Sequence, residues 1–500
     1  MKVVIVNPPL LSQYSDFFSS GIPYFPLEAA YLASSLQKAG HDVIVIDAFG
    51  VRPNRLYWHD KKSFVQGLTS EEIIAKIPQD VDAICFYASL VTSHPLNLDA
   101  VRVFKQKFPN VPAIIFENSQ QVYAYSLTAK LQDFFKAGYD YVVTGEPEER
   151  VPQLLKEIVS GKPITVDGVG YKLNGKPRLN PKKGFIKDLD GLPFPAFELF
   201  PLKKYWNLRY SHGPFSGPYL PLLTSRGCPY GCKYCVIPAT NQRLWRVRSP
   251  KNIVDELEYM GKKFGVTDFH WEDLNPTVDK RRIETMCKEI LDRGVKVTWK
   301  FSAGTKIDTF DETTLEWMVK AGCVYVSFSP ESGSPAVLKL MDKPFVHEHA
   351  VRMTKRMHEA NVRSQACFVL GFPGETDANL QETWDYLKLL TKNGLDETSL
   401  FIMAPIPGAE KAPEVPGYSA KNTDLSTITF SPEFRTDFKK LQKFRVWLYL
   451  HFFYWKLRYH PLKIFRSIWN VLTRRFEIKT EMTIWRAFKT RIMGWMPFLY

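Results

Sequence analysis

The 500-residue chain contains no long hydrophobic run and few cysteines. No stretch approaches the roughly 20 apolar residues of a membrane-spanning helix, so a transmembrane protein is not expected. The first residues enter an apolar β-type segment without a basic region or a cleavage site, so no secretion signal is predicted. Of the seven cysteines, four are isolated, and a disulfide framework is not expected either. These absences together favour a reducing, cytoplasmic location.

Positive charge is concentrated at one end of the chain. The formal net charge is +14, and residues 431–500 contribute +11 of it, from fifteen Lys and Arg against four Asp and Glu. The first 430 residues are therefore close to neutral, at +3. A composition of 45% hydrophobic and 24% charged residues is ordinary for a globular protein, and the length predicts two or three domains.

The most informative segment places three cysteines within eight residues, in the sequence Arg226-Gly227-Cys228-Pro229-Tyr230-Gly231-Cys232-Lys233-Tyr234-Cys235. Separations of three and two residues let one loop set three thiolates around a four-iron cluster and leave one iron open to a small molecule. Structural zinc is the alternative, but it needs four ligands, and no second cysteine pair or nearby histidine completes the set. The remaining cysteines lie in apolar segments and are interpreted as core residues: Cys85, Cys287, Cys323 and Cys367.

The cysteine loop resembles that of the radical S-adenosylmethionine (SAM) enzymes. In that family the open iron binds the amino and carboxylate groups of SAM, and reductive cleavage gives a 5′-deoxyadenosyl radical. The resemblance implies that Cys228, Cys232 and Cys235 bind a [4Fe-4S] cluster and that Tyr234 lies against the adenine. It also implies an electron donor such as flavodoxin or ferredoxin.

Four later segments extend the resemblance, because each follows a predicted strand. They are Glu272-Asp273-Leu274-Asn275, Pro330-Glu331-Ser332-Gly333-Ser334, Gly371-Phe372-Pro373-Gly374-Glu375-Thr376 and Pro405-Ile406-Pro407-Gly408. By position the resemblance assigns SAM binding to Glu272, Asp273, Glu331, Ser332, Gly371 and Pro405. Ser302 and Lys306 follow the third strand and are predicted to reach SAM or substrate. Solvated loops are the alternative for these segments.

Residues 216–410 are predicted to form a partial (β/α)6 barrel. Strands are expected at 221–224, 268–271, 297–302, 324–327 and 366–370, with helices at 251–264, 280–292, 313–321 and 351–360. Chemistry in such barrels lies at the carboxyl ends of the strands, and the cysteine loop follows the first strand.

Residues 1–160 also alternate strands with helices and predict an α/β domain with a doubly wound parallel sheet. Strands are expected at 2–7, 42–47, 83–87, 113–116 and 141–144, with helices at 26–39, 97–108 and 127–137. Residues 161–215 are predicted to be a connector that contains a hairpin with an Asn174-Gly175 turn.

This first domain resembles the cobalamin-binding, Rossmann-like domain of many radical SAM proteins. The matching pieces are Asn7-Pro8-Pro9, the helix around residues 27–33, and Gly145-Glu146-Pro147-Glu148. The resemblance assigns cobalamin contacts to Leu10, Ser89, Thr92, Glu117, Gly145 and Glu146. Two features depart from the pattern: no Asp-x-His-x-x-Gly offers a lower ligand to cobalt, and Phe116-Glu117-Asn118-Ser119 replaces the usual paired glycines. A generic sheet without a ligand is the alternative.

Residues 411–500 are predicted to be a basic, aromatic and helical C-terminal region. Aromatic side chains suit the lipid headgroup boundary and Lys and Arg suit anionic lipid, which predicts peripheral association with the inner membrane face. Packing of these helices across the barrel mouth is one alternative, and RNA binding is another.

With cobalamin, the resemblance implies methyl transfer to an unactivated carbon of a hydrophobic metabolite such as a lipid, an isoprenoid or a pigment precursor. The chemical reason is that such a carbon is no nucleophile, so its hydrogen must first be abstracted by a radical. Oxidative cyclisation or rearrangement is the alternative reaction. A non-catalytic regulator that binds the cluster or cobalamin is the alternative class.

Overall fold

The computed structural model describes residues 1–14, 16, 20–121, 123–419, 424–428 and 432–493, without the side chains of residues 427 and 491–493. Ten strands lie in the first 180 residues: β1 (Lys2–Asn7), β2 (Leu10–Gln13), β3 (Asp42–Asp47), β4 (Leu56–Trp58), β5 (Ser63–Gln66), β6 (Ala83–Ala88), β7 (Ala113–Glu117), β8 (Tyr141–Val143), β9 (Val169–Leu173) and β10 (Lys176–Leu179). The helices between them are α1 (Leu27–Lys38), α2 (Ala48–Val51), α3 (Ser70–Ala75), α4 (His94–Lys107), α5 (Leu131–Ala137) and α6 (Pro147–Val159).

The first sheet has the strand order β10-β9-β8-β7-β6-β1-β3. Five of these strands pair in parallel: β8, β7, β6, β1 and β3. Because β1 lies between β3 and β6, the chain winds in both directions from it, as the doubly wound prediction requires. The strands are apolar on both faces since helices cover both sides, and residues 3–6 of β1 are fully buried.

Two details of this half differ from the sequence prediction. The hairpin expected in the connector turns at Asn174 (φ 52°) and Gly175 (φ 73°), and it pairs antiparallel with β8, so it extends the first sheet. A small antiparallel sheet, β2-β5-β4, was not predicted, because its strands have three or four residues and no sustained alternation.

The second half contains β11 (Tyr219–Leu222), β12 (Ser225–Arg226), β13 (Arg246–Val247), β14 (Asp268–Trp271), β15 (Thr298–Thr305), β16 (Cys323–Glu331), β17 (Arg363–Leu370) and β18 (Glu397–Ile402). Its helices are α7 (Leu202–Leu208), α8 (Ile237–Asn241), α9 (Pro250–Phe264), α10 (Lys280–Asp292), α11 (Glu312–Lys320), α12 (Pro335–Leu340), α13 (His347–Glu359) and α14 (Asp377–Lys392). Six parallel strands follow one another in chain order, β11-β14-β15-β16-β17-β18, in an open sheet. This is the arrangement that the partial-barrel prediction expects.

Three α-helices lie near the end of the described chain, α15 (Phe438–Tyr459), α16 (Pro461–Thr473) and α17 (Lys479–Ala487), and a π-helix (Phe488–Met493) follows them. The inner side of α15 buries Leu448, Phe452 and Trp455 against the barrel, and the Tyr449 hydroxyl accepts a hydrogen bond from the Leu400 amide at 2.9 Å. Within the part of the chain that the structure describes, no helix is both long and apolar enough to cross a bilayer.

The two sheets meet through buried polar contacts. Arg226, directly before the cysteine loop, forms ion pairs with Glu146 at 3.4 Å and Glu148 at 2.6 Å. The Ser126 amide donates to the Pro407 carbonyl at 2.9 Å. The strand ends of the two sheets are thereby held against each other.

Candidate functional site

The barrel strands open at their carboxyl ends on a cavity of about 1720 Å³, part of it open to solvent. Three parts of the chain form its walls. The first sheet contributes loops that include Tyr24 and Tyr123, and the barrel contributes the cysteine loop and the ends of β15 to β18. The start of α17 contributes Lys479.

All three cysteines of the loop line this cavity and are half-buried. The loop needs a glycine at 227, since its φ is +79° and a Cβ there would lie 1.9 Å from the Leu244 carbonyl oxygen. Backbone hydrogen bonds of Lys233 fix the other end of the cysteine loop. The Lys233 amide donates to the Met341 carbonyl at 3.0 Å, and the Lys233 carbonyl accepts from the Lys411 amide at 2.9 Å.

Burial raises the pKa of the Cys228 thiol to about 11 and also raises the pKa of Cys232 and Cys235. Bound metal must therefore displace these protons. Among the described residues, no three His, Cys, Asp or Glu side chains form a group that could hold a single metal ion. Three soft sulfur donors on a cavity wall fit an iron–sulfur cluster that is bound by three cysteines.

A buried ion pair lies beside the cysteine loop, at the end of β16. Glu331 accepts a hydrogen bond from the Tyr234 hydroxyl at 2.7 Å and from the Lys343 ammonium at 2.6 Å. Burial alone would lower the pKa of Lys343, but the Glu331 charge outweighs it and the net shift is upward. Glu331 has a φ of +65°, unusual for a residue with a side chain, at an irregularity in the β16–β17 pairing.

The structure therefore brings the predicted Tyr234 and Glu331 together and adds Lys343, which sequence analysis missed. Lys343 follows α12 in an irregular segment, so no periodic pattern marked it. All three side chains line the cavity.

A second ion pair, between the half-buried side chains of Glu272 and His212, lies in the same cavity with a nitrogen–oxygen distance of 2.6 Å. Burial raises the pKa of Glu272, but the His212 contact outweighs it and the pKa is lowered. Tyr24 of the first domain lies over the His212 ring with centroids 4.3 Å apart. The predicted Glu272 is thus in the site, and His212 joins it from the segment predicted to be a connector.

Ser302 and Lys306, on and just after β15, also line the cavity. The Ser302 hydroxyl is buried and has no hydrogen-bond partner among the described residues, while its carbonyl accepts from Lys479 at 2.7 Å. Lys306 pairs with Asp308 and lies over the Tyr230 ring at 5.2 Å. An unsatisfied buried hydroxyl on a cavity wall marks a place for a ligand atom.

Four of the residues assigned to SAM are not on the cavity wall: Asp273, Ser332, Gly371 and Pro405. Asp273 accepts hydrogen bonds from Thr224 and Ser225, the latter at 2.6 Å, so it fixes the strand end before the cysteine loop. Ser332 contacts Thr383 at 3.2 Å. Sequence position alone could not separate these residues from their neighbours, because adjacent residues of a strand end face opposite ways.

None of the six residues assigned to cobalamin lines the cavity: Leu10, Ser89, Thr92, Glu117, Gly145 and Glu146. Glu117 is buried and accepts from the amides of Leu127 at 3.0 Å and Gly145 at 2.6 Å. Glu146 accepts from the Ile186 amide at 2.8 Å and pairs with arginines of the barrel. Ser89 and Thr92 lie in the loop after β6, and Leu10 is buried in β2.

The first domain faces the cavity instead with Ile22, Tyr24, Gln120, Gln121 and Tyr123. These residues lie on loops without periodicity, which is why sequence analysis did not find them. The cavity, part of which is open to solvent, extends from these loops of the first domain to the cysteine loop of the barrel.

A three-cysteine loop thus lies at the first strand end of the parallel open sheet, on the wall of a cavity that also contains ion pairs. The sequence profile of the Radical SAM superfamily matches residues 222–404, so this part of the chain is a radical SAM domain.

Two curated relatives and one solved structure show what the chain is similar to. An uncharacterised methyltransferase of Pyrococcus horikoshii is 26% identical over 409 residues, covering 82% of each chain. The anaerobic magnesium-protoporphyrin IX monomethyl ester cyclase of Rubrivivax gelatinosus is 24% identical over 397 residues, covering 77% of this chain and 65% of the cyclase. The radical SAM methyltransferase TsrM of Kitasatospora setae, solved with cobalamin and a [4Fe-4S] cluster, matches with a TM-score of 0.63 at 16% identity, over 83% of this chain and 77% of TsrM.

Proposed function

We propose that this protein is a cobalamin-dependent radical SAM enzyme that methylates an unactivated carbon of a hydrophobic, lipid-, isoprenoid- or pigment-like metabolite. One observation carries the proposal: the cysteine loop and the loops of the first domain face the same cavity. The methyltransferase of P. horikoshii, similar over 82% of its length, and the fold of TsrM support the same assignment.

In this proposal Cys228, Cys232 and Cys235 hold the cluster, and SAM lies between it and the ends of β14 to β18. The Glu331–Lys343 pair gives SAM a carboxylate and an ammonium within one buried contact. Such a pair suits an amino acid group, which carries both charges itself. Tyr234 holds Glu331 in place through its hydroxyl.

When bound, the cluster and SAM would supply a hydrogen-abstracting radical and cobalamin a methyl group. The chain's task is to position and enclose these groups. Tyr24, Gln120, Gln121 and Tyr123 would hold the cobalamin face of the cavity, and the substrate would lie between this wall and the cysteine loop. Phe401 and Tyr123, with ring centroids 6.2 Å apart, offer an apolar contact, and Ser302 offers a free hydroxyl.

Oxidative cyclisation is the second candidate, because a cyclase is among the relatives. Both reactions need an external reductant to start SAM cleavage, which we propose to be flavodoxin or ferredoxin. They differ in whether a methyl group leaves SAM for the substrate.

The test is anaerobic purification with cobalamin supplied, followed by iron and cobalt analysis, a visible spectrum and an assay for 5′-deoxyadenosine under reductant. We expect about four irons and about one cobalt per chain, with 5′-deoxyadenosine released. Iron without cobalt in a folded protein would favour the cyclase-type reaction. A loaded protein that releases no 5′-deoxyadenosine would favour a regulator and overturn both enzyme assignments.

A further inference from the structure

The outer side of the two longest tail helices exposes an unusual number of large apolar side chains. We call this set the apolar tail face: Val446, Trp447, Leu450, Phe453, Tyr454 and Leu457 on α15, and Leu462, Phe465, Ile468, Trp469 and Leu472 on α16. Leu462 is 81% exposed, Leu472 72% and Trp469 65%. Large apolar side chains exposed together along a helix face mark an interaction site.

The spacing puts these residues on one side of each helix. In α16, positions 462, 465, 469 and 472 recur every three or four residues, and in α15 positions 447, 450, 454 and 457 do the same. The opposite side of α15 is already buried on the barrel through Leu448, Phe452 and Trp455. The apolar tail face is therefore additional to what folding of the barrel requires.

Exposed Lys and Arg side chains lie next to the apolar tail face. Lys439 and Lys443 precede Trp447 on the same side of α15 at steps of four residues. Arg458 follows Leu457, and Arg475 lies just beyond the end of α16. None of these four cations forms an ion pair within the described part of the chain, so their charges are available to a partner.

We propose that the apolar tail face lies on an anionic phospholipid bilayer, with α15 and α16 in the plane of the headgroups. Trp, Tyr, Phe and Leu side chains would enter the boundary layer while the bordering Lys and Arg contact lipid phosphates, as in interfacial helices. The helices lie on the surface, in agreement with the lack of a spanning helix among the described residues. This inference goes beyond the proposed reaction and does not depend on it.

A second copy of the chain fits this face less well. A two-fold interface places the same surface patch of both subunits together. The cations Lys439, Lys443, Arg458 and Arg475 of both copies would then gather at one interface, and like charges repel. An anionic surface has the complementary charge.

The experiment is flotation of the full chain with phosphatidylcholine vesicles and with vesicles containing phosphatidylglycerol. We expect the protein to float with the anionic vesicles and the double variant Phe465→Glu/Trp469→Glu to bind at least about tenfold less. Trp58→Glu is the matched control, since Trp58 is 60% exposed in the first domain and outside the tail. It should float like the parent.

The charge contribution is tested by Lys439→Gln/Lys443→Gln, which should weaken binding to anionic vesicles and leave the apolar side chains in place. Failure of the parent to float, or equal flotation of the Phe465/Trp469 variant, would overturn the proposal. A dimer in solution that this variant dissociates would assign the face to a second copy and would also overturn it. Iron content and circular dichroism of each variant separate these outcomes from loss of the fold or of the cluster.

Discussion

The two parallel sheets point their strand ends at the same interface, but they use their polar groups differently. At the end of the first sheet, polar side chains satisfy one another: Glu117 binds two backbone amides, and the Ser119 amide and hydroxyl donate to Glu28. At the end of the barrel sheet, three thiols line the cavity and the buried Ser302 hydroxyl has no hydrogen-bond partner among the described residues.

The difference indicates where a ligand would bind. A buried polar group without a partner is costly, so it persists where a ligand completes it. Glu28 and Glu117 are paired within the first domain, and Glu146 pairs with Arg226 and Arg246 of the barrel. The six residues that sequence resemblance marks in the first domain do not line this cavity, and loops beside them do.

The largest expected effect comes from the barrel side. Replacing any of the loop cysteines by alanine, for example Cys232→Ala, removes one sulfur ligand and should lower iron retention and 5′-deoxyadenosine release by more than about a hundredfold. Anaerobic iron and sulfide analysis measures the first. Cys85→Ala, a buried cysteine of the first sheet, is the control and should keep the cluster. Full iron content in Cys232→Ala would show that the cluster lies elsewhere.

The next effect concerns the Glu331–Lys343 pair. Lys343→Met leaves Glu331 buried without its charge partner, which costs about 3–5 kcal/mol of folding stability. Anaerobic denaturant unfolding and SAM-binding calorimetry should both show the loss. The double variant Glu331→Gln/Lys343→Met should recover part of the stability but not the SAM affinity. Recovery of both would make the pair purely structural.

A smaller effect is expected in the first domain, where a residue that lines the cavity can be compared with one that does not. Tyr24→Ala removes part of the cavity wall and should reduce cobalt bound per chain by roughly tenfold. Glu117→Gln changes a side chain that contacts backbone amides, and should leave cobalt binding close to the parent. The opposite order would support the assignment made from resemblance and contradict the comparison of the two sheets.

The smallest effect is a pH dependence of stability in the first domain. Burial raises the pKa of Glu28 to about 8 from an ordinary 4.5. Between these values the folded protein keeps a proton that the unfolded chain releases, so stability falls as pH rises from about 4.5 to about 8. Unfolding midpoints at the two ends of this window should differ less in Glu28→Gln than in the parent. Glu71→Gln, on the exposed surface of α3, should behave like the parent.

Much of the fold could be predicted from the sequence because buried parallel strands are short apolar runs. Strands 42–47 and 268–271 and helix 280–292 occur with the predicted bounds. The helix predicted at 127–137 begins at Leu131, because a 3-10 turn precedes it. Helix α14 was not predicted, although Thr376 and Asn379 form a capping box at its start.

The site residues could be predicted where the chemistry of the site fixes the spacing of residues in a motif. They could not be predicted where only the tertiary fold brings a residue into the site. The cysteines, Tyr234, Glu272, Ser302, Lys306 and Glu331 all line the cavity. Three further residues of the site belong to no motif and lie outside the segments that sequence analysis singled out: Lys343, His212 and Lys479. The packing alternative for the tail describes the inner side of α15 and the start of α17, which reaches the cavity with Lys479, whereas the outer sides of α15 and α16 are apolar and exposed.

Lys479 has a consequence for how the protein is made. Its ammonium binds the Ser302 carbonyl, and the amides of Lys479 and Thr480 donate to Glu397 at 3.0 Å and 2.7 Å. The cavity wall is therefore complete only after residue 480 has left the ribosome, long after the cysteine loop has been synthesised. A nascent chain paused before that point would hold its three thiols in an unfinished chamber. A closed chamber around the three thiols therefore forms only after nearly all of the described chain has been translated.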